Sequence, residues 1–417
     1  MKLKTYKRGW ILSLSAASLL VGAAYAAEVD WPQFQGPQRN NTTSESGWKK
    51  DWPADGPPVL WKAEVGSGMA SFAVVGHQVF TAGNDGSNKD TVWCLDLDTG
   101  KPLWSYSYAC KTAAHEMPIV PPGPCSTVSV EHDHVFTISR EGDVLCLDAK
   151  TGALIWKKSL IEDFHGKRPV YGYASSPLVV GDRLFLDAGG STGSTVCLKA
   201  ATGDLLWAAG SGEAGYASPF LAHFHDQDLL IAFKGQALEI LDPQDGKERA
   251  HYDTTTNDFC NTATPALTNG GHLLISHTGS DGATGLEYNG AEITKSWNLR
   301  DLGMLFNSGV PWGNHGLIVF NDQMRGVNDL RCLDVVTGQS LWQSSEIDKG
   351  EAILSDGHLL VLSAKGELFL AKPSDAGITV LSRAQVLGGK CWALPVISHY
   401  RILCRSNAGA VVCLDVR

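Results

Sequence analysis

The sequence predicts an all-β fold, an eight-bladed β-propeller of four-stranded antiparallel blades, and three observations predict it. First, a phrase of fixed form recurs: VWCLDLDTGKPLW over Val92–Trp104, VLCLDAKTGALIW over Val144–Trp156, TVCLKAATGDLLW over Thr195–Trp207 and LRCLDVVTGQSLW over Leu330–Trp342. Each copy reads as an apolar strand, a turn closed by glycine, and a second strand ending in tryptophan. The clearest turn glycines, Gly100, Gly152 and Gly203, recur at about 50 residues, a spacing that suits blades of four short strands. Second, a hairpin of two short apolar runs precedes each phrase, as in Ala73–Ala82, Val128–Ser139, Ser176–Leu186, Pro265–Ser276, Pro311–Phe320, Ile353–Ser363 and Pro395–Arg405. Third, the last copy, Val411–Arg417, stops before its turn and tryptophan strand, while Val59–Lys62 is a Leu-Trp strand with no partner of its own. Pairing these N- and C-terminal strands closes the ring and removes the exposed sheet edge.

In chain order, Met1–Ala26 carries Lys2, Lys4, Lys7 and Arg8, the apolar run Trp10–Ala24 and the small-residue stop Ala24-Tyr25-Ala26. That is the pattern of a cleavable secretory leader, cut after Ala26. The run is too short and too serine-rich for a span of about 20 residues. No cysteine stands directly after the cut, so a lipid anchor is not expected either, and the mature chain is expected in the periplasm or secreted. Residues 27–58 read as an arm lying across the ring, and residues 59–417 as the propeller. Within the propeller the phrase weakens to Leu238–Gly246 in unit four, to Leu286–Gly290 with Trp297 in unit five, and to Leu368–Gly377 in unit seven.

The net charge is −10, and it becomes more acidic once the basic leader is removed. Such a surface opposes nucleic acid and anionic membranes, and a monomer is expected. Five of the ten cysteines, Cys94, Cys146, Cys197, Cys332 and Cys413, occupy one slot of the repeat. Equivalent slots on separate blades lie beyond the roughly 7 Å that a disulfide spans, so these read as small buried hydrophobes. Two other pairs, Cys110 with Cys125 and Cys391 with Cys404, are candidate disulfides or else buried thiols. Most of the thirteen histidines fall in or beside hairpin turns, spread over all the blades except the third, which does not suggest converging metal ligands. His115, Glu116, His165 and His277 lie in other loops, and no metal site is assigned.

The CLDxxTGxxLW phrase resembles the tryptophan repeat of PQQ-like, quinoprotein-type eight-bladed propellers. The segments Trp31–Arg39, Trp52–Pro58, Gly172–Pro177 and Cys391-Trp392 are similar to secreted, BamB-like members of that superfamily. The resemblance covers nearly all of the mature chain and is specific for fold but not for function. It implies, as an alternative function, a PQQ-dependent oxidoreductase using calcium. Such enzymes hold the quinone between a tryptophan and a ring of two adjacent disulfide-linked cysteines, and this chain has no Cys-Cys dipeptide and no Cys-x-x-Cys-His haem site. No cofactor is therefore expected.

No nucleophile elbow, phosphate loop or zinc-protease motif appears, and no catalytic residue is assigned. Loops from the last strand of one blade to the first of the next (D–A loops) gather round the axis on one face. They deliver Met69, Cys125, Tyr173, Tyr216, Asn261, Asn307, Glu351 and Trp392 just before each first strand. Of these, Tyr173, Tyr216, Asn261, Asn307, Glu351 and Trp392 are the candidate ligand-binding residues, since aromatics mixed with amides and one carboxylate suit a pocket. The alternative is that the aromatics only plug the channel. The function expected is a non-catalytic binding or scaffold protein of the cell envelope, holding a protein or saccharide at this rim.

Overall fold

The computed structural model describes residues 28–111, 123–191, 193–224, 226–254, 260–268, 270–276, 282–322 and 328–417. The leader over residues 1–26 lies outside them, and no helix among the described residues is long and apolar enough to cross a membrane. Eight antiparallel four-stranded sheets form the blades, with strands A to D running outward from the axis in chain order. Blade 1 comprises Ala73–Val75, Gln78–Asn84, Lys89–Asp96 and Pro102–Ala109, and blades 2 to 7 occupy 129–159, 178–209, 220–253, 266–299, 310–344 and 350–385. Blade 8 takes Val396–Ser398, Arg401–Arg405 and Ala410–Asp415 from the C-terminal end and Val59–Glu64 from the N-terminal end. Trp61 pairs with Cys413 and Lys62 with Val412, so the ring closes between the ends of the chain as expected.

The repeated phrase has a mechanical meaning. The strand-D tryptophan of one blade lies on the turn glycine of the next and donates its indole N–H to a main-chain carbonyl there. Trp61 reaches Leu97 O at 2.7 Å, Trp104 reaches Ala149 O at 2.9 Å, Trp156 reaches Ala200 O at 2.9 Å, and Trp297 reaches Val335 O at 2.9 Å. Trp207 makes a longer bond, 3.3 Å, to Pro243 O. Gly152 shows why the turn needs glycine: its φ is +73°, and a Cβ would lie 2.5 Å from Trp104 Cε3.

Three seams lack this lock. Strand D of blade 4, ERAHYD over Glu248–Asp253, carries no tryptophan. Blade 6 has Trp342, but the hairpin of blade 7 continues to a tight turn at Ser374–Gly377, and the buried Trp342 Nε1 is left without a partner. Blade 7 has no tryptophan on its outer strand, Gly377–Gln385. At that last seam the N-terminal segment fills the space, with Trp48 and Trp52 in the apolar cluster joining blades 7, 8 and 1. Gly56 packs so closely on blade 7 that a Cβ would meet Ala384 Cβ at 2.5 Å.

The arm enters the channel from the face that carries the A–B turns. Trp31 pairs with Val74 of blade 1, and Pro32 O accepts from Val130 N of blade 2. Arg39, pushed down to about 9 by burial, donates to Pro177 O at 2.8 Å and Pro219 O at 3.2 Å, on blades 3 and 4. Asn41 reaches Gly309 O of blade 6, and Thr42–Thr43 run parallel to Leu354–Ser355 of blade 7. The chain then returns to the A–B face, where buried Glu45 accepts the amides of His399 and Tyr400 of blade 8. Six blades are thus tied through their innermost strands, or the residues just before them, to one segment, and blade 8 through its A–B turn.

All ten cysteines are free thiols. The five repeat cysteines are buried on separate blades, and burial pushes Cys94, Cys146 and Cys413 up to about 12 and Cys197 and Cys332 up to about 11. Neither candidate clip is formed. The Cys110 thiol lies 3.9 Å from Lys111 O and that of Cys125 3.9 Å from Gly123 O, while Cys391 and Cys404 are buried among the apolar side chains around blade 8.

Candidate functional site

On the D–A face, the residue two before strand A forms a rung to the next blade. Ser71 N donates to Thr127 Oγ1 at 2.9 Å, Thr127 N to Ser176 Oγ at 2.9 Å, and Ser176 N to Ser218 Oγ at 2.9 Å. Ser218 N continues to Thr264 Oγ1 and Thr264 N to Ser308 Oγ, both at 3.1 Å. The relay thus runs through blades 1 to 6, and Ser71 Oγ ties it back to Leu394 O of blade 8 at 2.6 Å. Small hydroxyl residues suit this role because each both accepts from one neighbour and keeps its own amide free to donate to the other. The signal stood in the sequence as Ser-Pro and Thr-Pro before strand A, at Ser176-Pro177, Ser218-Pro219 and Thr264-Pro265.

The relay skips blade 7. There the equivalent rung, two residues before Ile353, is Glu351. The residue is half-buried on the innermost strand, and burial of its carboxyl, reinforced by Asp322, holds it well above the usual carboxylate range. Asp322 itself is paired with Lys349.

The six candidate residues divide into braces and mouth. Tyr173 is buried against blade 3, with its hydroxyl donating to Ala188 O at 3.0 Å and its ring against the position a Cβ on Gly142 would take. Asn261 is fully buried and donates to Lys234 O at 2.7 Å and Gly235 O at 3.1 Å. Asn307 pairs with Phe320 through both of its amide groups. Tyr216 is buried; its ring lies tilted against that of Tyr171 with centroids 5.7 Å apart, and its oxygen accepts the Tyr171 amide at 3.2 Å. These four fasten D–A loops to the blades.

Trp392 and Glu351 remain partly exposed. Trp392 meets half-exposed Phe306 from the loop before blade 6, with centroids 5.4 Å apart, and the Lys390 ammonium stands 5.1 Å from the Trp392 ring. Phe306 and Lys390 were not singled out from the sequence, because only the fold brings the loops before blades 6 and 8 together over blade 7. His165 is an exposed loop residue at φ +56°; His115, Glu116 and His277 lie outside the described residues.

A quinone with carboxylates would call for cationic partners inside the ring. Two buried guanidiniums that could meet the carboxylates of such a cofactor are committed to main-chain carbonyls. Arg39 is held as described, and Arg405 donates to Ala70 O at 2.6 Å, Ala82 O at 2.8 Å and Gly66 O at 3.0 Å.

Comparison with known proteins agrees with this architecture. Residues 112–344, more than half of the chain, match the family model described as outer membrane protein assembly factor BamB. The BamB of Yersinia pestis is 24% identical over 384 residues, covering 85% of this chain and 88% of that protein. The crystal structure of BamB from Moraxella catarrhalis superposes with a TM-score of 0.63 at 15% identity, over 86% of this chain and 99% of that one. A shorter match of 136 residues, 30% identical, joins 29% of this chain to 17% of the dehydrogenase subunit of a quinone alcohol dehydrogenase from Komagataeibacter europaeus. The chain belongs to the family of outer membrane protein assembly factor BamB.

Proposed function

We propose that this chain is a non-catalytic binding protein of the cell envelope, exported by the leader over residues 1–26, that holds a protein partner at the D–A mouth. The observation that carries the reading is the Phe306–Trp392 pair with Lys390 above it, on a face whose remaining candidates are mostly spent on bracing. Partly exposed aromatics next to a cation have the composition of an interface hot spot. The arm fills part of the channel from the opposite face, which leaves surface rather than a deep cavity for recognition. The relatives are named for outer-membrane protein assembly, which favours a protein over a saccharide.

A PQQ-dependent oxidoreductase is the second reading, favoured by the match to the quinone alcohol dehydrogenase subunit. One experiment separates the two. Tagged protein and its Trp392→Ala and Lys390→Glu variants are recovered from cross-linked envelopes, and the same preparations are assayed for dye reduction with PQQ and Ca²⁺. A specific partner lost by both variants at unchanged melting temperature is the expected result. Dye reduction by the wild type, or partner recovery unaffected by either substitution, would sink the proposal.

A further inference from the structure

The seam between blades 3 and 4 holds a cluster far out along blade 4 that the binding reading leaves unused. Glu239, on strand C, is fully buried and pairs across the sheet with His251 on strand D. One of its oxygens accepts Ser211 N at 3.3 Å; the other, Oε2, is buried with no hydrogen-bond partner. Leaving a buried carboxylate oxygen unmatched is costly unless a positive charge or a proton answers it. The nearby Lys234 ammonium is buried too, but it sits 2.7 Å from Asp187 Oδ1, so one cation faces two buried carboxylates. Glu248, on strand D, adds a third acid.

His251 shows where the missing charge belongs. Its Nε2 lies 2.8 Å from Asp253 Oδ1 and its Nδ1 3.5 Å from Glu248 Oε2. With the ring proton on Nε2 and donated to Asp253, the Nδ1 lone pair faces a carboxylate oxygen with nothing positive between them. One donor atom each from Glu239, Glu248 and His251 lies within 4.8 Å of the other two. A tetrahedral zinc ion with bonds of about 2.0–2.2 Å holds its ligand atoms about 3.5 Å apart, and the exposed Glu248 side chain has the rotamer freedom to close that gap.

We propose that Glu239, Glu248 and His251 bind a divalent cation of the zinc class, with Asp253 fixing the tautomer and orientation of His251. A carboxylate behind the metal-bound imidazole is the usual outer partner of such a ligand. Two carboxylates and one imidazole leave a fourth position for water. The ion ties strand D of blade 4 to strand C, in the blade whose outer strand has no tryptophan to lock it to blade 5.

The test is a titration of the purified, chelator-stripped protein with Zn²⁺ alone by equilibrium dialysis, with Co²⁺ as the spectroscopic probe. The expected result is one equivalent bound, tetrahedral Co²⁺ absorption and a higher melting temperature with metal. His251→Ala and Glu248→Gln, both at exposed or half-exposed positions and able to fold, should abolish the Co²⁺ signal, and Asp253→Asn should weaken binding about 10–100-fold. Glu239→Gln should weaken it at least as much. Three results would overturn the site: no stoichiometric binding by the wild type, binding unchanged in His251→Ala and Glu248→Gln, or Glu239→Gln melting higher than a wild type that takes up no metal. The last would make Glu239 a neutral buried acid.

Discussion

Trp156 and Trp342 have the same place in the repeat and different surroundings. Both are buried, but the Trp156 indole N–H is bonded to Ala200 O and its ring covers Gly203, whereas the Trp342 Nε1 is unmatched. Replacing Trp156 with Ala should cost about 3–5 kcal/mol through loss of a large buried aromatic. The phenylalanine substitutions isolate the hydrogen bond. Trp156→Phe should lose about 1 kcal/mol more than Trp342→Phe, because only the former orphans a buried carbonyl. Urea midpoints of the four proteins (wild type, Trp156→Ala, Trp156→Phe and Trp342→Phe) check this, and equal costs for the two phenylalanines would mean the indole bond is not stabilising.

The arm is the element whose docking depends on pH. His399 sits at the A–B turn of blade 8, with Nε2 2.8 Å from Asp30 Oδ1 and Nδ1 3.3 Å from Glu28. Glu45 accepts its amide, and His77, paired with Asp98, lies 5.8 Å from its ring. Burial disfavours the charged ring, but Asp30 and Glu28 outweigh that and hold its pKa above the ordinary 6.5. A histidine raised by folding stabilises fully below its unfolded pKa and loses that contribution as the pH rises through the folded value. The arm should therefore dock more tightly at about pH 5 than at about pH 8, and His399→Gln should flatten the difference. Hydrogen exchange at Trp31 N and Val74 N, which bond to each other's carbonyls, reports it directly. Equal protection at both pH values in the wild type would show that the latch does not titrate.

At the scale of the molecule, closure couples the two ends of the chain. Val59–Glu64 complete blade 8, and Trp61 locks that blade to blade 1 through Leu97 O and Gly100. Deleting residues 59–64 should leave most strand content in place while baring the edge of Ala410–Asp415, an aggregation template. The expected readouts are a near-unchanged far-UV spectrum at low concentration, a lower melting temperature and concentration-dependent association. A monomeric deletion variant with wild-type melting would mean that closure adds nothing. Trp61→Ala tests the same seam without exposing an edge, at a cost in the range given for Trp156→Ala.

Fold, blade count, strand order and the pairing that closes the ring were legible in the residues, because each follows from local pattern. Short apolar runs make strands, Thr-Gly turns set the hairpins, and the strand lacking at Val411–Arg417 matches the spare one at Val59–Lys62. The burial of Cys94, Cys146, Cys197, Cys332 and Cys413 was legible for the same reason, since repeat symmetry puts them on different sheets. The site was not legible to that degree. Tyr173, Asn261 and Asn307 precede strand A by a few residues as Trp392 does, yet the first three turn their polar groups onto the blades while Trp392 meets Phe306. Which way a loop side chain turns depends on partners far away in the chain. The same holds for Glu239 and His251, which sit among many acids and histidines in the sequence. Only pairing across the sheet and the approach of Gly210–Ser211 from blade 3 leave one carboxylate oxygen buried and unmatched. Local repetition determines secondary structure and its order; convergence of side chains on a site is a long-range property, decided when the ring closes.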